Sequence, residues 1–184
     1  MITTVDEFKL AKAILEKELS RHQRNNRPMP ADIKVGTMLE VPSLVWQLDE
    51  LLPLVDFISI GSNDLMQFFY ASDRENPKLS NRYDILSPPS LNMLRFIVDK
   101  CSAQNVPLTL CGEIGGRTVG ALALLAIGFR RLSIAPAAIG PVKMMIRSLN
   151  LGDIERFVNE LLSRSDHSIR SEIRAFARDH DVRI

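Results

Sequence analysis

The stretch VDFISIGSNDL, residues 55–65, runs from an apolar segment into a polar turn that begins with a glycine. A short apolar run bounded by turn residues is typical of a buried strand. The turn places the amide of Asn63 and the carboxylate of Asp64 at the carboxyl end of this predicted strand. In α/β proteins ligands bind at that end, because the loops there rest on a rigid sheet.

Three further apolar runs have the same design, and each leads into polar or small residues. Residues 33–39 lead into Glu40, residues 106–110 into Cys111 and the glycine-rich turn 112–116, and residues 131–134 into Ala135-Pro136. Four βα units in succession predict a parallel sheet with right-handed crossovers. Such a sheet belongs either to a small doubly wound domain or to half of a (β/α)8 barrel, whose full form takes about 250 residues. The pattern leaves both architectures open.

Helices are expected before, between and after these strands. Thr4 and Glu7 have the spacing of a capping box that opens a first helix. The other predicted helices are 42–51, one that starts at Asn63 or Asp64, 89–104, 118–127, 139–149, 152–163 and 168–179. Residues 72–88 are irregular, and a loop of that length is usually functional or disordered. We expect a single domain over residues 1–184, with a leading helix at 1–27, four βα units at 32–149 and terminal helices at 152–184.

The composition is that of a folded globular domain. Its 184 residues are 46% apolar and 24% charged, and 23 basic against 22 acidic side chains leave a net charge of +1. No basic field favours nucleic acid or an anionic membrane as a partner. The longest apolar run falls far short of the roughly 20 residues that span a membrane, and the amino terminus lacks a signal-peptide pattern. The sequence therefore predicts a cytoplasmic protein in which Cys101 and Cys111 are reduced thiols.

Two carboxylates, Glu40 and Asp64, lie at the ends of neighbouring predicted strands. A hard cation such as Mg²⁺ is usually held by one or two carboxylates together with substrate oxygens. Each acid could instead be a helix cap or a solvated loop residue, and Asp64 directly precedes a helical pattern. Position alone does not separate the two interpretations.

Other candidates on the same rim also have two interpretations. Cys111 could act as a proton donor or nucleophile, or it could be an inert buried thiol, as we expect Cys101 to be. Arg74, in the long loop, could clamp a carboxylate or phosphate, or it could be an ordinary surface arginine. The glycines of residues 112–116 are a weak signal for anion binding. The histidines lie away from the strand ends, and we expect them to be solvated: His22, His167 and His180.

Several separated motifs, in the right order, resemble the phosphoenolpyruvate (PEP)-utilising enzymes. They are GTMLEVP at 36–42, SIGSNDLMQ at 59–67, SDR at 72–74 and LCGE at 110–113. The chain is most similar to Enzyme I of the bacterial phosphotransferase system, the phosphoenolpyruvate–protein phosphotransferases, over roughly residues 33–149. The LCGE motif is most similar to the nitrogen-related branch. The resemblance implies the C-terminal half of a PEP-binding (β/α)8 barrel, with extra C-terminal helices.

The resemblance also implies a role for each candidate residue. Glu40 and Asp64 bind Mg²⁺, and Asn63, Asp64 and Arg74 hold PEP. Cys111 protonates the methylene carbon of the enolpyruvate leaving group. Ser62 stands where the family commonly has threonine, which is a conservative change.

Parts of such an enzyme are implied to lie outside this chain. In the family, earlier strands complete the barrel, and a separate swivelling domain carries the histidine that is phosphorylated. No histidine here has that sequence context. We therefore expect the chain to be inactive alone and to serve an HPr-like phosphocarrier of the nitrogen type. We also expect half a barrel to expose the apolar layer that the missing half would cover, and to form a homodimer or higher oligomer through this face and its open strand edges. The alternatives are part of a pyruvate phosphate dikinase or PEP synthase barrel, or a non-catalytic dimerisation module.

Overall fold

The computed structural model describes residues 1–73, 75–76, 78–79 and 82–184. Its centre is a parallel sheet of four strands: β1 Thr37–Leu39, β2 Ile58–Gly61, β3 Leu108–Cys111 and β4 Leu132–Ser133. The order in the sheet, β1-β2-β3-β4, is the order along the chain. A doubly wound sheet reverses its strand order at a switch point, and this sheet does not. Its order is that of an arc of a (β/α)8 barrel, so the barrel alternative is the correct one.

All four predicted strands are present, and each is shorter than predicted. β1 begins at Thr37 and not at residue 33, because the Val35 N–H donates to the Asp56 carboxylate at 2.7 Å and not to a neighbouring strand. β2 and β3 each continue one residue further than predicted. Gly61 and Cys111 are therefore paired with each other inside the sheet, at its carboxyl edge.

The two faces of the sheet differ in burial. The side chains in register across β1, β2 and β3 on one face are fully buried: Leu39, Ile60 and Leu110. Side chains alternate along a strand, so the residue before each of these points to the other face. On that face Met38 is 41% exposed, and Ser59 and Thr109 are half-buried. An apolar layer expected on this open face is therefore wrong for its central strands, which carry hydroxyl side chains there.

The described helices are α1 Val5–Arg24, α2 Pro42–Val45, α3 Leu48–Leu51, α4 Ser62–Phe69, α5 Pro88–Ala103, α6 Glu113–Gly116, α7 Thr118–Ala126, α8 Pro136–Arg147, α9 Leu151–Leu161 and α10 Arg170–Asp179. They follow the predicted order, except that α6 is a single helical turn where a glycine-rich turn was predicted. Thr4 and Glu7 form the predicted capping box at the start of α1. The predicted helix at 42–51 is two single turns, and Gln47 lies at the break. Its side chain accepts a hydrogen bond from the Val5 N–H at 3.1 Å, which joins the break to α1.

A buried helix, α7, joins the sheet to the terminal helices. It is apolar on nearly every side, and most of its residues are buried, which is the pattern of a helix enclosed by other elements. α8, α9 and α10 all pack against it. α9 contributes Ile154, Val158 and Leu161 at helical spacing, and all three are buried. Across the described residues, no helix has both the length and the apolar character that crossing a bilayer requires.

We predict that two glycine-to-alanine substitutions in helices change stability in opposite directions. A methyl group at Gly120 of α7 would lie 2.3 Å from the carbonyl oxygen of Ile114. At Gly152 of α9 it would lie 3.7 Å from Oδ1 of Asn150, which is an ordinary van der Waals contact. Gly120→Ala should therefore lower the free energy of unfolding by about 1–3 kcal/mol. Gly152→Ala should raise it by about 0.5–1 kcal/mol, because alanine restricts the unfolded chain. Urea titration measures both, and a Gly120→Ala variant as stable as the wild type would contradict the close packing.

Candidate active site

At the carboxyl ends of β1 and β2, the carboxylate of Glu40 lies next to Gly61. Glu40 follows directly after β1, and its side chain lies against Gly61, the last residue of β2. A methyl group at Gly61 would be 2.7 Å from Cγ of Glu40 and 2.9 Å from its Oε1. A side chain at this position would have to displace the Glu40 side chain, so glycine lets the carboxylate lie at this edge of the sheet.

The next helix begins without a linker after β2. Gly61 is the N-cap of α4, and Ser62, Asn63 and Asp64 are its first three residues. The Ser62 hydroxyl is fully buried and donates to the carbonyl oxygen of Cys111 at 2.9 Å, which ties the start of α4 to the end of β3. A hydroxyl side chain is sufficient for this bond, so serine and threonine can both serve.

Neither carboxylate is a helix cap. The N-cap of α4 is Gly61 and that of α2 is Val41, and neither helix start has a side-chain cap hydrogen bond. Glu40 and Asp64 are both half-buried, and neither forms an ion pair with any described residue. Neither acid is therefore a helix N-cap, although Asp64 lies in the first turn of α4, where a negative charge is favourable.

The turn after β3 packs directly against the start of α4. Gly112 has a φ of +131°, and a methyl group there would lie 2.1 Å from Oγ of Ser62 and 3.1 Å from Oδ1 of Asn63. Both the backbone angle and the space require glycine at this position. The contact places the Asn63 amide beside the residue that follows Cys111.

The two cysteines have different surroundings. Cys101 is buried in α5, and burial raises the pKa of its thiol to about 11. Cys111 is half-buried at the edge of the sheet, and its Sγ donates to the carbonyl oxygen of Ile60 at 3.1 Å. The Ser59 hydroxyl donates to the same sulfur at 3.6 Å. Both contacts come from β2, so the thiol of Cys111 has a fixed direction.

A cavity of about 1020 Å³ opens beside Asn63. Its far wall comes from the segment before α5 and from the start of α10, and residues of opposite charge line it: Asp84, Glu113, Arg117, His167 and Arg170. Sequence patterns gave no role to these residues: Glu113 appeared only within the LCGE motif, and His167 was expected to be solvated. It is exposed, and it faces the cavity. Asp84 and Arg170 are far apart in the chain and in unrelated elements, so no local pattern could pair them.

The predicted site residues are distributed as follows. Glu40, Asn63 and Cys111 come together around Gly61 and Gly112, and Asp64 follows Asn63 in α4. Arg74, the predicted anion clamp, lies outside the described residues. Within the described ranges, no group of three or more histidine, cysteine or acidic side chains is placed to hold a metal ion. A cation at this edge would therefore need ligand atoms beyond the two carboxylates.

The fold and this edge together define a class of protein, a parallel βα barrel segment with polar groups at the carboxyl ends of its strands. The chain belongs to the PEP-utilising enzymes: residues 1–151 match the family described as "PEP-utilising enzyme, PEP-binding domain". It is 36% identical to a phosphoenolpyruvate-protein phosphotransferase of Priestia megaterium over 90% of its length, and 34% identical to that of Bacillus subtilis over 97%. It is 33% identical over 96% of its length to the "Phosphoenolpyruvate-dependent phosphotransferase system" protein of Escherichia coli. The chain spans between 24% and 31% of the length of these relatives.

We predict that an alkylating reagent labels Cys111 much faster than Cys101 in the folded chain at pH 8. The thiolate is the reactive form, and a pKa of about 11 leaves Cys101 with very little of it, in addition to its burial. Mass spectrometry of the digested protein gives the two rates, and labelling in urea is the control in which they should converge. Equal rates in the folded chain would show that Cys111 is as inert as Cys101.

Proposed function

We propose that this chain is the PEP-binding part of a phosphoenolpyruvate–protein phosphotransferase, of the nitrogen-related branch. The observation that carries the proposal is the meeting of Glu40, Asn63 and Cys111 around Gly61 and Gly112, in a chain of a PEP-binding family. The phosphoryl group passes to a histidine on a domain outside these residues, and from there to an HPr-like carrier protein in the cytoplasm. By itself the chain binds part of the substrate and does not turn over.

Asn63 and Arg74 hold PEP in this proposal. The Asn63 amide presents both a donor and an acceptor, and a guanidinium matches carboxylate or phosphate oxygens in pairs. Phosphoryl transfer depends mainly on positioning and on charge stabilisation, so residues that only orient the substrate are essential to it. Asn63 suits this role because Gly112 packs against it and fixes the turn beside its amide.

Cys111 supplies a proton in this proposal. When the bond between phosphorus and the enol oxygen breaks, the electron pair stays on the enolate, and the S–H proton passes to the methylene carbon. The products are pyruvate and a thiolate. The S–H now donates to the Ile60 carbonyl, and the Ser59 hydroxyl already points at the sulfur and can stabilise the thiolate that remains.

The two carboxylates fit a magnesium ion as a cofactor. Both are half-buried and carry no cap or ion-pair contact in the described chain, and carboxylate oxygens together with substrate phosphates are the usual ligands of Mg²⁺. Glu40 and Asp64 would hold it. Bound Mg²⁺ neutralises charge on the phosphoryl oxygens.

The test uses PEP-dependent phosphorylation of a carrier protein. The intact phosphotransferase that contains these residues should phosphorylate the carrier, and the 184-residue chain alone should not. Turnover by the chain at the parental rate would mean that no histidine domain is needed. Absence of turnover in the intact protein would contradict the function itself.

In that assay, Glu40→Gln and Asp64→Asn should each reduce the Mg²⁺-supported rate by at least about 100-fold, because a metal contributes several kcal/mol to the barrier. Thermal unfolding should change little, since neither acid caps a helix. Asp49→Asn is the control, because Asp49 is 71% exposed and, within the described part of the chain, forms a surface ion pair only with Lys100. A rate near that of the wild type in both acid variants would remove the carboxylates from the metal site.

We also propose that the chain associates with itself. β1 and β4 end the sheet with unpaired backbone, and on the open face Met38 and Phe57 are 41% and 37% exposed. Unpaired strand edges recruit other strands, and exposed apolar side chains strengthen the contact. Sedimentation velocity at micromolar concentration should show a dimer or larger species. A monomer under these conditions would refute the proposal.

A further inference from the structure

The start of α10 holds the segment that precedes α5. Arg170 grips the Asp84 carboxylate with two hydrogen bonds, Nη2 to Oδ1 at 2.8 Å and Nε to Oδ2 at 3.0 Å. The Ser168 hydroxyl donates to Oδ2 at 2.7 Å, and the Ile169 N–H donates to the carbonyl oxygen of Leu86 at 2.9 Å. The charged side chains are largely shielded, with 30% of Arg170 and 19% of Asp84 exposed. We call Asp84, Ser168 and Arg170 the clasp.

The clasp is stronger than an ordinary surface ion pair. Burial by itself would raise the pKa of Asp84, but the hydrogen bonds from Arg170, Leu86 and Ser168 together outweigh burial and lower it. A bidentate, partly buried pair of this kind is geometrically specific, whereas exposed pairs contribute little. Asp84 is therefore ionised and held in one orientation near neutral pH.

The loop between α4 and α5 begins and ends at aromatic and hydroxyl contacts. Tyr70 stacks on Tyr83 with ring centroids 4.5 Å apart, and its hydroxyl lies 2.8 Å from both Ser87 Oγ and Ser90 Oγ. The two ends of the loop are therefore in contact with each other through Tyr70. Asp84 follows Tyr83 directly, so the clasp binds the loop next to this contact between its two ends.

The same loop forms a wall of the cavity beside Asn63. Ser72, Asp84 and Arg170 line this cavity together with Asn63. The Ser72 hydroxyl is buried and has no hydrogen-bond partner among the described residues. A buried polar group without a partner is costly, so this wall is suited to a polar ligand. Arg170 itself lies beyond residue 151, where the match to the PEP-binding family ends.

We propose that Arg170 is a positioning residue for the PEP site. Through Asp84 it holds the end of the loop whose start carries Ser72, and so it shapes the wall of the cavity that Asn63 also lines. This inference rests on the proposed function. The terminal helices are then part of the substrate site and do more than cover the core.

The ion pair is not needed to attach α10 to the domain. Ile169 and Ile173 are fully buried, and Ala177 is buried on the same helix face. Without the guanidinium, Asp84 would still accept hydrogen bonds from the Leu86 N–H and the Ser168 hydroxyl. Loss of Arg170 should therefore loosen the loop and leave the fold in place.

The experiment compares Arg170→Met, Arg170→Lys and the control Arg178→Met. Arg178 is on the same helix, is 78% exposed, and among the described residues pairs only with its neighbour Asp179. In the 184-residue chain, Arg170→Met should speed hydrogen exchange between α4 and α5 and leave exchange in β2 and β3 unchanged. In the intact phosphotransferase it should raise the KM for PEP by about 10- to 100-fold, with a smaller change in kcat, because misplaced binding groups lose affinity. Arg170→Lys should recover part of the loss, and Arg178→Met should match the wild type in both measurements.

Unchanged exchange in the loop would overturn the inference, and so would faster exchange with an unaltered KM. Faster hydrogen exchange throughout β2 and β3 would show that Arg170 has a purely structural role, and this result would also overturn the inference. An intact wild-type protein that does not phosphorylate a carrier would contradict the proposed function instead, while exchange in the 184-residue chain still reports on the clasp by itself.

Discussion

The carboxyl edge of the sheet depends on the absence of two side chains. At Gly61 the missing methyl group leaves the space that the Glu40 carboxylate occupies, and at Gly112 it lets the turn after β3 approach Ser62 and Asn63. Each approach is closer than any β-carbon tolerates. Because both glycines lie at strand ends that are paired or adjacent in the sheet, three separate segments converge there. A polar site can then form from side chains that the backbone alone would keep apart.

The sequence was sufficient to predict the order of the elements and the residues at this edge. Apolar runs that end in Glu40, Asn63 and Cys111 are local signals, and a parallel sheet brings the ends of its strands to one side. The exact strand limits were not predictable, because the Val35 N–H bonds to the Asp56 side chain while its carbonyl oxygen still accepts from the Asp56 N–H. The break in the helix at 42–51 was missed for a similar reason, since Gln47 bonds to the start of α1. In both cases a hydrogen bond between a side chain and the backbone of another segment accompanies the local change.

The clasp lies beyond what a single sequence can reveal. Asp84 and Arg170 are separated by 86 positions, and neither lies in a motif or at a strand end. Their pairing follows from how α10 packs on α7, which is a tertiary event. The open face of the sheet is a related case. The alternation of side chains was predictable, but the expectation that this face is apolar came from the barrel analogy, and Ser59 and Thr109 show that it does not hold there.

The enclosed position of α7 has a practical consequence for work with shortened forms of the protein. This helix has almost no polar side, and α9 and α10 supply much of its cover. A polypeptide trimmed after α8 would keep every strand, yet it would present a continuous apolar helix to water. Such a surface favours aggregation over a defined native state. Poor solubility of a trimmed form would then reflect the lost cover of α7, with the βα sheet itself still able to form.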